Sequence, residues 1–256
     1  MYELVSLVNE GCADLSDSQS SGGRNGGKGT AVRARRRKPD GAPTRTQDPE
    51  GTRNNILEIA SEEFALNGLA GARIDVIAAR TRSSKRMIYY YFGDKEGLYL
   101  SALENAYRMV REGEAKLDTE GLPPIEALRR LVEFTFDHHH RHEEFIRMVM
   151  IENIHHGEYL DRSQAIRELN VTAIDHIAAI YARGVAEEQF RPGLDPLELH
   201  WQVSALCFFN VSNRATFSKI FGRDIGAEDA LAALRRNAVD MVLRFVARAD
   251  RLTDLP

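Results

Sequence analysis

The sequence predicts an all-α protein, and three observations carry that prediction. Apolar side chains recur three and four residues apart through almost every segment beyond residue 47, the spacing of one helix face. No segment alternates apolar and polar residues as a half-buried strand would, and no internal repeat intrudes. Asp, Ser, Gly and Pro stand where the periodic segments begin and end, as helix punctuation does.

The totals fit this class. With 256 residues, 43% of them hydrophobic, the chain can bury real cores in one or two domains. It has no uninterrupted apolar run of about 18 residues, so no membrane span is expected. Cys12 and Cys207 are too few and too far apart for a disulfide framework, which points to a reducing cytoplasmic compartment. The first residues carry Glu3 and Glu10 and no basic start to a long apolar run, unlike a secretory signal.

Residues 1–47 open rich in Ser and Gly ("SDSQSSGGRNGGKGT") and turn strongly basic ("RARRRKP"), with almost nothing to bury. A disordered arm is expected there. Its arginines suit phosphates or a narrow minor groove, and a plain solvated tail is the alternative.

Residues 48–100 read as a compact unit of short helices. "PEGTRNNILEIASEEFALNG" sets Ile56, Ile59, Ala60 and Phe64 at helical spacing, with Asp48 or Thr52 to cap it and Gly68 to stop it. "IDVIAART" buries Ile74, Ile77 and Ala78. After a brief "RSS", Ser84 is placed to cap a third helix, "KRMIYYYF". Three short helices with a tight second connection form the layout of a helix-turn-helix unit.

Residues 101–256 read as a larger helical domain. Leu122, Pro123 and Pro124 interrupt it, and then Ile125, Leu128, Val132 and Phe136 share one face. "EEFIRMVMIENI" is apolar nearly all round, as a central buried helix would be. A long pattern over 160–190 carries Ile174, Ile177, Tyr181 and Val185. "DPLE" then opens a helix over about 195–221, with Asp195 as N-cap, Pro196 in the first turn and Glu198 at the capping-box position. The last helix, about 227–249, shows Leu231, Leu234, Ala238, Met241 and Phe245.

The charge is polarised. Residues 24–100 hold 15 Lys and Arg against 9 Asp and Glu, while residues 101–256 hold 19 against 25. A net charge of −4 conceals this, and a basic end on an acidic body points that end at a polyanion. Within it, Lys85 and Arg86 occupy the first turn of the third helix, where they oppose the helix dipole. Bound phosphate would offset that cost through neutralisation and counterion release.

The run from Thr52 to Leu98 resembles the N-terminal DNA-binding domain of the TetR family of bacterial transcriptional regulators. The resemblance rests on Ile77-Ala78, on "SKRMIYYYF" from Ser84 to Phe92, and on "DKEGL" from Asp94 to Leu98. It matches the pattern S-K-x-x-[LI]-Y-x-[HY]-F-x-[SDN]-K-E-x-L. Three positions depart: Arg82 stands where the family has Gly, Ser83 where it has Val, and Arg73 where it has a capping Thr. Arg82 must then adopt a turn conformation that Gly reaches at lower cost.

The resemblance implies a DNA-contacting set of Arg73, Ser84, Lys85, Arg86, Met87, Tyr89, Tyr90, Tyr91 and Lys95. Lys85 or Arg86 would meet guanine edges, and Met87 a thymine methyl. Tyr89 and Tyr91 would approach the backbone, Tyr90 would lie over sugar, phosphate or base, and Lys95 would hold a phosphate. It further implies a homodimer on double-stranded DNA, with reading helices about 34–36 Å apart on a palindromic operator. The last two helices, with small Ala230, Ala233 and Ala238, would pair with a second copy.

The rear domain resembles the family's ligand-binding core, which implies an unidentified small-molecule effector and no cofactor. Polar groups on apolar faces are the pocket candidates: Glu152, Asn153, His176, Trp201, Asn210 and Asn213. For each, an internal hydrogen bond or a dimer contact is the alternative. In "DHHHRH", only His138 and His142 share a helical face, without a Cys pair, so a polar helix junction is expected rather than a metal site. A repressor released by its ligand is the leading reading, with an activator of the same family next. A metal-dependent hydrolase lacks any nucleophile, phosphate-loop or zinc motif, so no catalytic residue is assigned. A nonspecific DNA-coating protein is the remaining competitor.

Overall fold

The structure, a computed structural model, describes residues 48–251. The expected arm over 1–47, with Cys12, lies outside the described residues. Among those described, ten α-helices are joined by two single 3₁₀ turns and one isolated bridge. The all-helical prediction holds.

Local chemistry accounts for the first four helices. α1 (Pro49–Gly71) starts where Asp48 Oδ1 accepts the Gly51 N–H at 2.9 Å, with proline in the first turn. Gly68, at φ 64°, breaks its regular turns at the position the sequence marks. α2 (Ile74–Thr81) ends in a Schellman closure: Ser83 N–H reaches Ala78 O at 3.0 Å and Arg82 N–H reaches Ala79 O. Arg82 has φ 53°, so a side chain occupies the left-handed position usually left to glycine. α3 (Lys85–Phe92) is capped by Ser84 Oγ, which accepts the Met87 N–H at 3.1 Å. Asp94 Oδ1 caps α4 (Lys95–Ala115) through the Gly97 N–H at 2.7 Å.

Ile56, Leu57, Phe64, Ile77, Ile88 and Phe92 close a first core, which continues without a gap to Met148 and Ile166 of the rear helices. The expected boundary at residue 100 therefore passes through α4, a single helix that packs on α1 at its front and on α7 further along.

The rear is built from α5 (Pro124–Arg141), α6 (Glu143–Ile154), α7 (Gln164–Ala186), α8 (Pro196–Ser212), α9 (Arg214–Phe221) and α10 (Glu228–Val246). Leu128, Val132, Phe136, Ile177, Val203, Cys207 and Val242 are among the buried residues of a second core. Three boundaries differ from expectation. The helix expected over 195–221 is two helices, because Asn213 leaves helical geometry at φ −106°, ψ 0°. Its side chain turns to Ser212 Oγ while Thr216 Oγ1 donates to its carbonyl, local bonds that compete with a continuous helix. The pattern over 160–190 divides into a 3₁₀ turn, Leu160–Arg162, and α7, which Ser163 caps. The last helix stops at Val246 rather than 249, since Ala247 pairs with Phe190 and Val246 O accepts the Arg191 N–H at 2.8 Å.

α6 is buried on one face only: Phe145, Ile146, Met148 and Glu152 are covered while Ile154 is 70% exposed. On α10 the apolar residues divide as well. Ala238, Val239, Val242 and Val246 enter the second core, and Met241 and Phe245 face outward. Ala230 and Ala238 are thus covered within the chain, while Ala233 is half-buried.

Candidate nucleic-acid interface and effector cavities

α3 holds one side in the core through Ile88 and Phe92 and presents the other. Ser84, Lys85, Arg86 and Met87 are all exposed at its start, and Tyr90 is the most exposed of its rings at 81%. Tyr89 is also exposed. Tyr91 is half-buried against the first core and meets Tyr90 edge-on, centroids 5.5 Å apart. Tyr91 therefore braces the outermost ring as well as bordering the surface. No acidic residue lies in the first turn of α3, so its cations are uncompensated within the helix.

Two of the expected phosphate contacts have partners within the chain. Lys95 Nζ donates to Ala70 O at 3.1 Å, tying the start of α4 to the last turn of α1. Arg73 pairs with Asp75 at 2.9 Å, and hydrogen bonding from that guanidinium lowers the Asp75 carboxyl below its ordinary range. Arg73 supplies no side-chain cap to α2. Its own N–H instead donates to Glu63 Oε1 at 3.0 Å, so a buried acid on α1 fixes the connection. Sequence reasoning missed Glu63; its place beside the apolar stripe of α1 was the available signal.

The six rear candidates do not converge. Glu152 is buried and fully occupied: Tyr99 Oη donates to Oε1 at 2.8 Å, and the Tyr159 and Leu160 N–H groups donate to Oε2 at 3.1 Å. It is an internal tie, and none of the cavities includes it among its walls. His176 borders a cavity of about 870 Å³ beside the loop after α4, where Thr119 Oγ1 lies 2.7 Å from its Nε2. Asn210 and Asn213 border a cleft of about 440 Å³ against α10, on the outward apolar face. Asn153 and Trp201 border a third, also of about 440 Å³.

That third cavity holds groups the sequence did not single out for it. Tyr107 and Arg111 come from α4, His139 from α5, Phe145 from α6, and His200 and Phe208 from α8. Burial depresses both histidines, each to about 4, so both rings are neutral at ordinary pH. The four-residue spacing of Tyr107 and Arg111 was the one sequence signal; the meeting of five helices, with Asn170 of α7 among the walls, was not.

The histidine run forms a junction between α5 and α6. The His138 and His142 rings lie 4.4 Å apart, and burial drives His138 down to about 3. Among the described residues no group of three or more His, Cys, Asp or Glu is arranged to hold a metal. No helix there is long and apolar enough to cross a membrane.

A cation-tipped third helix on a tight turn, joined through α4 to a cavity-bearing bundle, defines the class of helix-turn-helix transcriptional regulators. Residues 56–102 match the profile described as bacterial regulatory proteins, tetR family, and residues 124–242 match the Tetracyclin repressor-like C-terminal domain. The chain is 37% identical over 204 residues to the HTH-type transcriptional repressor NicS of Pseudomonas putida, across 80% of this chain and 96% of that one. It belongs to the TetR family. A TetR family transcription regulator from Marinobacter aquaeolei VT8 shares its fold at a TM-score of 0.61 and 20% identity, over 78% of this chain and 98% of that one. The ketosteroid transcriptional regulator KstR2 of Mycobacterium tuberculosis does so at 0.59 and 19%, over 77% and 95%.

Proposed function

We propose that this protein is a repressor that binds a palindromic operator as a homodimer in the cytoplasm and is released by a small molecule. The observation that carries the proposal is the exposed start of α3, with Ser84, Lys85, Arg86 and Met87 at the surface, Lys85 and Arg86 in no ion pair among the described residues, and Tyr90 projecting beyond them. Lys85 and Arg86 read base edges, Met87 and Tyr90 add apolar and stacking contact, and Arg73, Tyr89, Tyr91 and Lys95 position the backbone. Residues 48–100 serve as the reading domain and the helices beyond as the sensing and pairing domain. The 37% identity to a named repressor supports repression as the mode.

Dimerisation is supported by an outward apolar strip across α8, α9 and α10. Phe209, Phe217 and Phe221 make successive ring contacts at 5.4 and 5.3 Å, beside Ile220, which is 72% exposed. Met241 and Phe245 extend it. A strip this apolar fits an obligate partner better than water.

α4 links the two ends. Its first turn carries Lys95 beside α1, and within its last two to three turns it carries Tyr107 and Arg111 at the cavity. A ligand that prefers the DNA-free arrangement by about 1.4 kcal/mol lowers operator affinity tenfold. The test is fluorescence anisotropy on an inverted-repeat site, found by mapping bound genomic DNA, against its scrambled form at rising salt. Preference for the repeat should persist as general affinity falls. Equal binding of both duplexes at every salt would leave only a nonspecific DNA-coating role.

A further inference from the structure

We propose that the cavity walled by Arg111, His139 and Trp201 receives a small organic carboxylate on an aromatic or short apolar body, and that this is the effector class. The inference rests on the regulator reading above and adds the ligand's chemistry.

Arg111 is a permanently charged side chain only 11% exposed. Its Nη1 is taken by Glu114, but its buried Nε has no partner among the described residues. A charged donor buried and unsatisfied is costly, so the position calls for an acceptor. His139, 6% exposed, bonds the Cys207 backbone through its ring, and its buried Nδ1 has no partner among the described residues. Both residues line the same cavity of about 440 Å³, within the size range of small-molecule sites. No Asp or Glu is among its lining residues, while Phe145, Val149 and Phe208 make much of the wall apolar. One end therefore carries the Arg111 guanidinium beside neutral His139, and the remainder offers aromatic packing.

Other ligand classes fit less well. A cationic ligand would meet Arg111 with no acid in the wall to offset it. A neutral ligand would give the guanidinium a weaker acceptor than a carboxylate does, since a charge-assisted hydrogen bond is the stronger one. Glu114 already neutralises part of Arg111, which suits a monoanion better than a phosphate dianion. Arg111 also borders the larger cavity beside His176, but there Glu114, Asp118 and Glu120 stand in the wall with Lys116 and Arg183, so that cavity selects no sign of charge.

Trp201 is the only tryptophan and stands at the rim of this cavity, so its emission reports occupancy directly. The full chain, without DNA, is titrated with benzoate and hexanoate and with their neutral isosteres benzamide and hexanamide. At least one acid should change Trp201 emission saturably, with its amide weaker by about tenfold or more. Replacing Arg111→Gln together with Glu114→Gln removes both charges without stranding either. That variant, its fold checked by circular dichroism, should lose the acid-over-amide preference. Amides binding as well as acids in the wild-type protein, no response to either acid, or an undiminished preference in the double variant would each overturn the proposal. The same preparation is tested on the inverted repeat. Retained operator binding with no carboxylate response sinks only the effector class, whereas loss of operator preference sinks the regulator reading.

Discussion

Tyr99 and Glu152, 53 residues apart in sequence, meet through a 2.8 Å hydrogen bond between phenol and carboxylate, both buried. The bond joins α4 to α6, and the same carboxylate holds the Tyr159 and Leu160 N–H groups of the connection to α7. Burial and the neighbouring carboxylate both raise the Tyr99 phenol, which stays protonated and donating. Any displacement of α4 by a ligand must carry this tie along or break it.

Glu152→Ala should cost about 3 kcal/mol or more, because it strands one hydroxyl and two backbone donors. Tyr99→Phe should cost nearer 1 kcal/mol, since two of the three bonds survive. Urea unfolding of both variants checks the order, and equal losses would mean that the carboxylate's backbone contacts contribute nothing.

Arg82→Gly should stabilise the free protein by roughly 0.5–1 kcal/mol. A non-glycine residue at φ 53° carries left-handed strain, which glycine relieves while giving back some chain entropy. A lower melting temperature would show that the arginine side chain contributes more than the strain removes.

Arg86→Ala and Lys95→Ala should separate in kind. Losing Lys95 should weaken all duplexes alike and reduce the salt slope by about one. Losing Arg86 should in addition relax base preference by roughly 1–3 kcal/mol at one operator position. Anisotropy on operator and random DNA distinguishes them, and equal losses on both for Arg86 would remove it from base reading.

Stability should fall as pH drops below about 6.5. Unfolded histidines take up protons there, whereas burial keeps folded His138 neutral to about 3 and folded His139 and His200 neutral to about 4. Each then removes up to about 1.4 kcal/mol per pH unit until its folded value is reached. Replacing His139→Phe should lower the proton uptake on unfolding by about one between pH 6 and 4.5, read from urea midpoints across that range. A flat profile there would place these rings in water.

Met241→Arg should weaken self-association by roughly thirtyfold while leaving the fold intact, because the side chain is 51% exposed on the outward strip of α10. Light scattering across a dilution series measures it. A variant that pairs as tightly as the parent would move the interface elsewhere.

Much of the reading end was legible because its rules are local. Asp48 and Ser84 cap helices within three residues of themselves, and Gly68 bends the chain at its own backbone, whereas the Asp94 cap of α4 was not singled out. The strain at Arg82 followed from one expected glycine being absent. The rear was less legible, since polar residues on an apolar helix reveal that they are buried but not what they meet.

What the sequence determined by itself is the helical class, the caps at Asp48 and Ser84, the break at Gly68, and the side chains that crowd the start of α3. Spacing and short-range hydrogen bonding are properties of neighbouring residues. Only the tertiary structure decided that Glu152 is a closed tie, that Asn153, His176 and Asn213 border three separate cavities, and that α10 ends where Ala247 meets Phe190. It also brought Arg111 and His139 to one cavity wall with unanswered nitrogens. Those outcomes depend on which helices come together across long stretches of chain, and a side chain's partner is set by that meeting rather than by its own position in the sequence.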